Sequence, residues 1–183
     1  MGLQDIYWRQ QAIVISETVQ ELDRNLTTIL SCSQGVKLNL VTDDVRNLVL
    51  ETINSLQPIS QNKKIKFKIP DTSVTVLLDK LQIKQVFDNL ISNAIHFSPD
   101  FGTITWSWQI FQEEVLIQIT DQGLGILPED IQKIFNPFYS RRPGGTGLGL
   151  TIAKKIILDH HGSLWAQNLP EGGARFSIIL PRK

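Results

Sequence analysis

Asn89, Asn93 and His96 stand at i, i+4 and i+7, so a helix over residues 80–97 would align them in one stripe. Asparagine carbonyl oxygens suit a hydrated Mg2+ and phosphate-bound water, without the repulsion a carboxylate exerts on a polyphosphate. A second group, Asp121-Gln122-Gly123-Leu124-Gly125-Ile126, follows an alternating strand. There an Asp can accept a hydrogen bond from an exocyclic amine, while glycines let the backbone approach a flat ring. A third, Gly144-Gly145-Thr146-Gly147-Leu148-Gly149-Leu150, opens another helix and can turn backbone N–H groups and a helix dipole on a phosphate. It has neither the P-loop spacing nor that of the dinucleotide fingerprint. In the fourth, Phe135-Asn136-Pro137-Phe138-Tyr139-Ser140-Arg141-Arg142, rings such as Phe138 can pin a loop over a ligand while Arg141 or Arg142 reaches its oxygens. Taken singly, each has a plain alternative: helix-surface amides, a common turn, a glycine linker, a solvated charge pair.

The elements that must position these groups follow from patterning. Ile83, Val86, Phe87, Leu90, Ile91, Ala94 and Ile95 form a buried helical face over Lys80–Phe97, which Pro99 ends. Alternation predicts strands at 36–41, around Ile65–Ile69 and Val74–Leu78, a hairpin of 103–110 and 115–119, and strands at 163–168 and 175–180. Trp106 and Trp108 are expected in the core. Asp43 or Asp44 caps a helix that Pro58 stops near Gln57, and a further helix is expected over 147–161. Residues 122–146 form a long loop, the kind that in compact domains is usually functional. This order predicts an α/β layer with helices on one face of a largely antiparallel sheet. Ahead of it, Trp8, Ala12, Ile15, Val19, Leu22, Leu26 and Ile29 carry the 3.5-residue repeat of a coiled-coil helix over 5–33, capped at Gln34-Gly35. Residues 1–35 are therefore expected to be a helix-pairing appendage, and 36–183 the main domain.

The chain has 183 residues, 42% hydrophobic and 20% charged, a globular composition. Lys plus Arg and Asp plus Glu both number 18, so no net field draws it to nucleic acid, and any anion must be held locally. Cys32 is the single cysteine, which excludes an internal disulfide and a Cys-based zinc site and fits a reducing cytoplasm. Neither a signal peptide nor a span of about 20 apolar residues is evident, so a soluble, cytoplasmic location is expected.

In this order and spacing the four groups resemble the catalytic ATP-binding domain of sensor histidine kinases. The N box is matched by Asp88-Asn89-Leu90-Ile91-Ser92-Asn93-Ala94-Ile95-His96-Phe97-Ser98-Pro99, the first glycine box by Asp121–Gly125, the F box by Phe135-Asn136-Pro137-Phe138 and the second glycine box by Gly145–Leu150. The resemblance covers residues 36–183. It implies the ATP-grasping two-layer α+β sandwich, with a mixed sheet and an ATP lid, shared with DNA gyrase, the large heat-shock chaperone, mismatch-repair ATPases and anti-sigma-factor serine kinases. It also implies that Asn93 holds Mg2+ with Asn89 in support, that Asp121 reads the adenine amino group, and that Gly123 and Gly125 shape its pocket. Gly145, Thr146, Gly147, Leu148 and Gly149 would cradle the phosphates, and Ser177 would assist Asp121 through water.

One departure is His96-Phe97, where the family usually has Lys or Arg followed by Tyr; a fixed charge is replaced by a group titrating near pH 6.5. The hydrolytic relatives place a Glu four residues before the magnesium Asn, where this chain has Asn89, and Asp88 points about 100° away. Phosphoryl transfer thus fits better than hydrolysis. No phosphoacceptor box is present, and His96, His160 and His161 all match or adjoin nucleotide-domain segments. The helix over 5–33 instead resembles the second helix of the dimerising hairpin. The expectation is a protein-histidine kinase that begins just after its phosphorylated helix, passes phosphate to a response regulator, and dimerises when full length. The alternatives are a non-catalytic ATP-binding sensor and an anti-sigma-type serine kinase.

Overall fold

A computed structural model describes residues 37–142 and 144–182; the heptad helix expected over 5–33 lies outside them. The elements are β1 (Val41–Asp44), α1 (Val45–Ser55), α2 (Gln57–Asn62), β2 (Lys66–Lys68), β3 (Thr75–Leu78), α3 (Lys80–Phe97), β4 (Thr103–Ile110), β5 (Glu114–Thr120), α4 (Gly149–Asp159), β6 (Ser163–Asn168) and β7 (Ala174–Pro181). The main sheet has the order β2-β4-β5-β7-β6, parallel only at β2/β4, and β1 pairs with β3 in a separate antiparallel ribbon. The sheet is mixed and largely antiparallel, as expected.

Side chains alternate across a strand, so one face of the sheet is apolar. Ile104 and Trp106 of β4, Val115, Ile117 and Ile119 of β5, Phe176, Ile178 and Leu180 of β7, and Leu164 and Ala166 of β6 are all buried. In the same core cluster are the seven expected residues of α3 and, from α4, Ile152, Ala153, Ile156 and Ile157. Phe87 meets Trp106 edge to face at 5.1 Å between centroids. α3 starts where Asp79 Oδ1 accepts hydrogen bonds from the Leu81 and Gln82 amides at 3.1 and 3.2 Å, and ends at Ser98, which Pro99 holds extended.

The helices α3 and α4 run antiparallel. At one end the Asp79 amide donates to His160 Nε2 (3.0 Å), so the proton of this neutral ring sits on Nδ1, which donates to Ile156 O (2.7 Å). At the other end Gly149 lies against Asn89.

Four expectations need correction. The first strand runs Val41–Asp44, not 36–41, because its partner β3 offers only Thr75–Leu78 for pairing. Pro58 does not stop a helix; α1 ends at Ser55 and Pro58 opens α2, where its missing N–H goes unused. Trp108 is only half-buried, donating from Nε1 to Thr72 at 3.1 Å, and Ile110 is exposed at the hairpin end. The last helix is Gly149–Asp159, shorter than 147–161.

Candidate functional site

α3 is bracketed by both glycine segments. A Cβ on Gly123 would lie 2.6 Å from Phe97 O, and one on Gly149 would lie 3.0 Å from Asn89 Oδ1. Residues 89 and 97 are separated by roughly 12 Å along the helix axis at 1.5 Å per residue, and Asn93 stands midway. Asn89 Nδ2 is buried with no hydrogen-bond partner among the described residues. Leaving such a donor unmet costs about 1–3 kcal/mol, and a phosphate oxygen would meet it. Asn93 is half-buried, and its side chain makes no hydrogen bond among the described residues.

His96 follows one turn on. Burial, then the charges of Arg142 and Lys63, hold its pKa below the ordinary value, so it is neutral at pH 7. As pH falls below about 6.5 the unfolded chain takes up this proton first, and stability is lost down through the folded value. Lys63, which sequence reasoning missed, donates from Nζ to His96 O (2.6 Å) and Ser98 O (2.8 Å), closing the end of α3. Lys63→Met is expected to raise the His96 pKa toward its ordinary value, read by NMR titration of the imidazole; no upward movement would exclude Lys63 as a cause.

Asp121 is buried just past β5. Its Oδ1 accepts from the Gly123 amide (2.8 Å) and the Ala174 amide (3.2 Å), while Oδ2 takes no hydrogen bond among the described residues. Burial pushes its pKa up, against the two backbone donors that pull it down. Gly125 has φ +78°, and a Cβ there would meet Asn168 Oδ1 at 2.7 Å. The Asn168 amide clamps Ile126 from both sides, accepting from its N–H (2.7 Å) and donating to its carbonyl (2.6 Å). Before the Leu-Pro-Glu-Gly-Gly run, Asn168 reads as an ordinary turn residue, so nothing local signals this contact.

In the second glycine segment Gly147 has φ +69°, and a Cβ there would collide with the Phe138 backbone and lie 2.6 Å from the Tyr139 nitrogen. Phe138 itself has φ +64° and is exposed. Gly145 lies against Ser140, the Thr146 hydroxyl accepts weakly from the Leu148 amide (3.4 Å), and buried Leu148 leads into α4. The paired arginines differ. Arg141 is engaged by buried Asp130, Nε to Oδ2 at 2.7 Å and Nη2 to Oδ1 at 3.1 Å, and the Tyr139 hydroxyl donates to the same carboxylate. Arg141 and then Tyr139 hold the Asp130 carboxyl below its usual range. Arg142 is exposed, and its side chain makes no hydrogen bond among the described residues.

Ser177 does not join the site. It accepts from Gln118 Nε2 (3.1 Å) on the face of the sheet away from the helices, whereas Asp121 lies on the helix face. Alternation forbids the expected contact, and Ala174 occupies the place beside Asp121. A cavity of about 350 Å³ between α1, α2 and β2, lined by Ile53, Gln57 and Phe67, lies apart from these residues. Among the described residues no three His, Cys, Asp or Glu side chains gather as a metal site. The neutral Asn89 and Asn93 fit an ion that brings its own phosphate and water ligands.

The family model described as "Histidine kinase-, DNA gyrase B-, and HSP90-like ATPase" matches residues 78–183. Sensor histidine kinase WalK of Bacillus subtilis (strain 168) is 41% identical over 123 residues, 63% of this chain and 20% of WalK. The chain thus spans about a fifth of that relative's length. The catalytic domain of histidine kinase ThkA superposes with TM-score 0.72 at 29% identity, covering 79% of this chain and 97% of that one. ThkA in complex with response regulator protein TrrA gives TM-score 0.77 at 28% identity, covering 93% of this chain and 50% of that one.

Proposed function

Because the chain belongs to the histidine kinase-, DNA gyrase B- and HSP90-like ATPase family, we propose that it binds ATP with Mg2+ and is the catalytic domain of a sensor histidine kinase. The observation that carries this reading is α3 held between two glycine segments, with Asn93 midway and Asn89 presenting an unmet donor. Asp121 Oδ2 would accept the adenine amino group at one end of the bracket. The backbone amides of Gly145–Gly149 and the start of α4 would receive the phosphates at the other. Asn93, supported by Asn89, would hold Mg2+, which when bound offsets phosphate charge. Arg142 supplies positive charge beside His96, while Arg141 braces the lid through Asp130.

Transfer to a protein acceptor is favoured over hydrolysis. Asp88, the nearest carboxylate on α3, pairs with Lys84 at 3.0 Å and reaches Ser55 of α1, away from the Asn89–Asn93 stripe. His160 has both ring nitrogens engaged, which removes it as an internal acceptor. In this reading the acceptor is a histidine on a dimerisation helix, and a response regulator receives the phosphate next, the kind of partner named in the ThkA complex.

Incubation with γ-labelled ATP, Mg2+ and a separate helical hairpin bearing a phosphorylatable histidine is expected to give acid-labile label on that hairpin. Acid-stable label on serine would replace this reading with the serine-kinase one. Binding without transfer would make the chain a nucleotide sensor, and no ATP binding would overturn the site altogether.

A further inference from the structure

We propose that Asn168 is a positioning residue for base recognition, fixing the far end of the Asp121–Ile126 loop so that the Asp121 carboxylate and the two glycines meet the ring at one height. Asp121, Ala174 and Asn168 form a row across the ends of β5, β7 and β6, all on the helix face of the sheet. The near end of the loop is tied to this row by Asp121: its amide donates to Ala174 O (3.0 Å) and its Oδ1 accepts from Ala174 N. Asn168, the register partner of Ala174, ties the far end through the two bonds to Ile126. Between these anchors Gly125, at φ +78°, leaves room for the Asn168 carbonyl. A six-residue loop held at both ends by adjacent strands keeps little freedom to slide, so the base is met by a preformed edge.

This role rests on the adenine reading of Asp121, and nucleotide titrations of the whole chain separate the two. Asn168→Ala removes both bonds at an exposed site and is expected to weaken ATP binding roughly five- to tenfold. GTP, whose ring presents a carbonyl where adenine presents its amine, lacks the donor that the positioned Asp121 carboxylate would meet there, so the preference for ATP over GTP should narrow by a similar factor. Thermal stability should change little. Equal losses for ATP and GTP, or no loss, would overturn the positioning role alone. Failure of the parent chain to prefer ATP would overturn the adenine reading and the role with it. Should Asn168→Ala not fold, Asn168→Asp keeps the acceptor for the Ile126 amide and carries the test. It should narrow the preference roughly threefold, and an unchanged preference would again overturn the role.

Discussion

Asp121→Asn is expected to lose at least about 100-fold in ATP affinity while staying folded, because the change turns an acceptor into a donor at the ligand-facing atom. An Asn side chain can keep Oδ1 where the Gly123 and Ala174 amides donate, so the loop survives. Its NH2 then stands where Oδ2 was, opposite another amine. A base that presents a carbonyl there should be favoured instead, so GTP affinity should rise relative to ATP; isothermal titration with both nucleotides reads the switch. Stability has its own sign. Burial raises the Asp121 pKa, so ionising it costs the folded state more than the unfolded one. That penalty is absent below the unfolded value of about 3.9 and complete above the folded one, so removing the charge leaves the protein at least as stable at pH 7. For the parent chain, ATP binding should weaken on acidification from a higher pH than an ordinary carboxylate would give. Tight ATP binding by the Asn variant would remove Asp121 from the site.

Gly147→Ala should be the most damaging single methyl in the lid. The residue sits at φ +69°, which costs a side chain about 1 kcal/mol or more, and the added Cβ enters the Phe138–Tyr139 backbone. Backbone cannot turn aside as a flexible side chain can. Relief therefore requires the lid and the start of α4 to separate, and ATP affinity should fall well over tenfold. Gly144→Ala is the matched control: φ is +72° but none of the described residues beyond its chain neighbours lies within 4 Å of the new Cβ, so chiefly the torsional cost remains. If both variants lose affinity equally, the packing of Gly147 on Phe138 is not what shapes the cradle.

How much of this was legible in the sequence depends on the range of the interaction. Helix α3 reads correctly over Lys80–Phe97, and all seven of its expected buried residues are buried, because helical periodicity and a proline stop are local. The sheet strands β4–β7 read nearly as well from period-2 alternation. Errors begin where a partner decides. The extent of β1 is set by its pairing with β3, and Trp108, expected in the core, is only half-buried near the end of the hairpin. At the site, the glycine segments and the Asn stripe are where the patterning puts them. Ser177 was misassigned because one residue of strand register changes the face. Asn168 and Lys63 act on backbone 42 and 33 or 35 positions away, and Arg141 answers to Asp130, so their tasks have no local signature.

The joint between Asp79 and His160 also bears on how the domain opens. The same Asp79 carboxylate caps α3, and its amide closes on the ring that ends α4, so the start of one helix and the finish of the other share a fastening. Neither helix can fray from that end alone. In hydrogen exchange the interior amides of α3 and α4 should therefore lose protection together, as one cooperative unit, while the loop between β5 and α4 exchanges early.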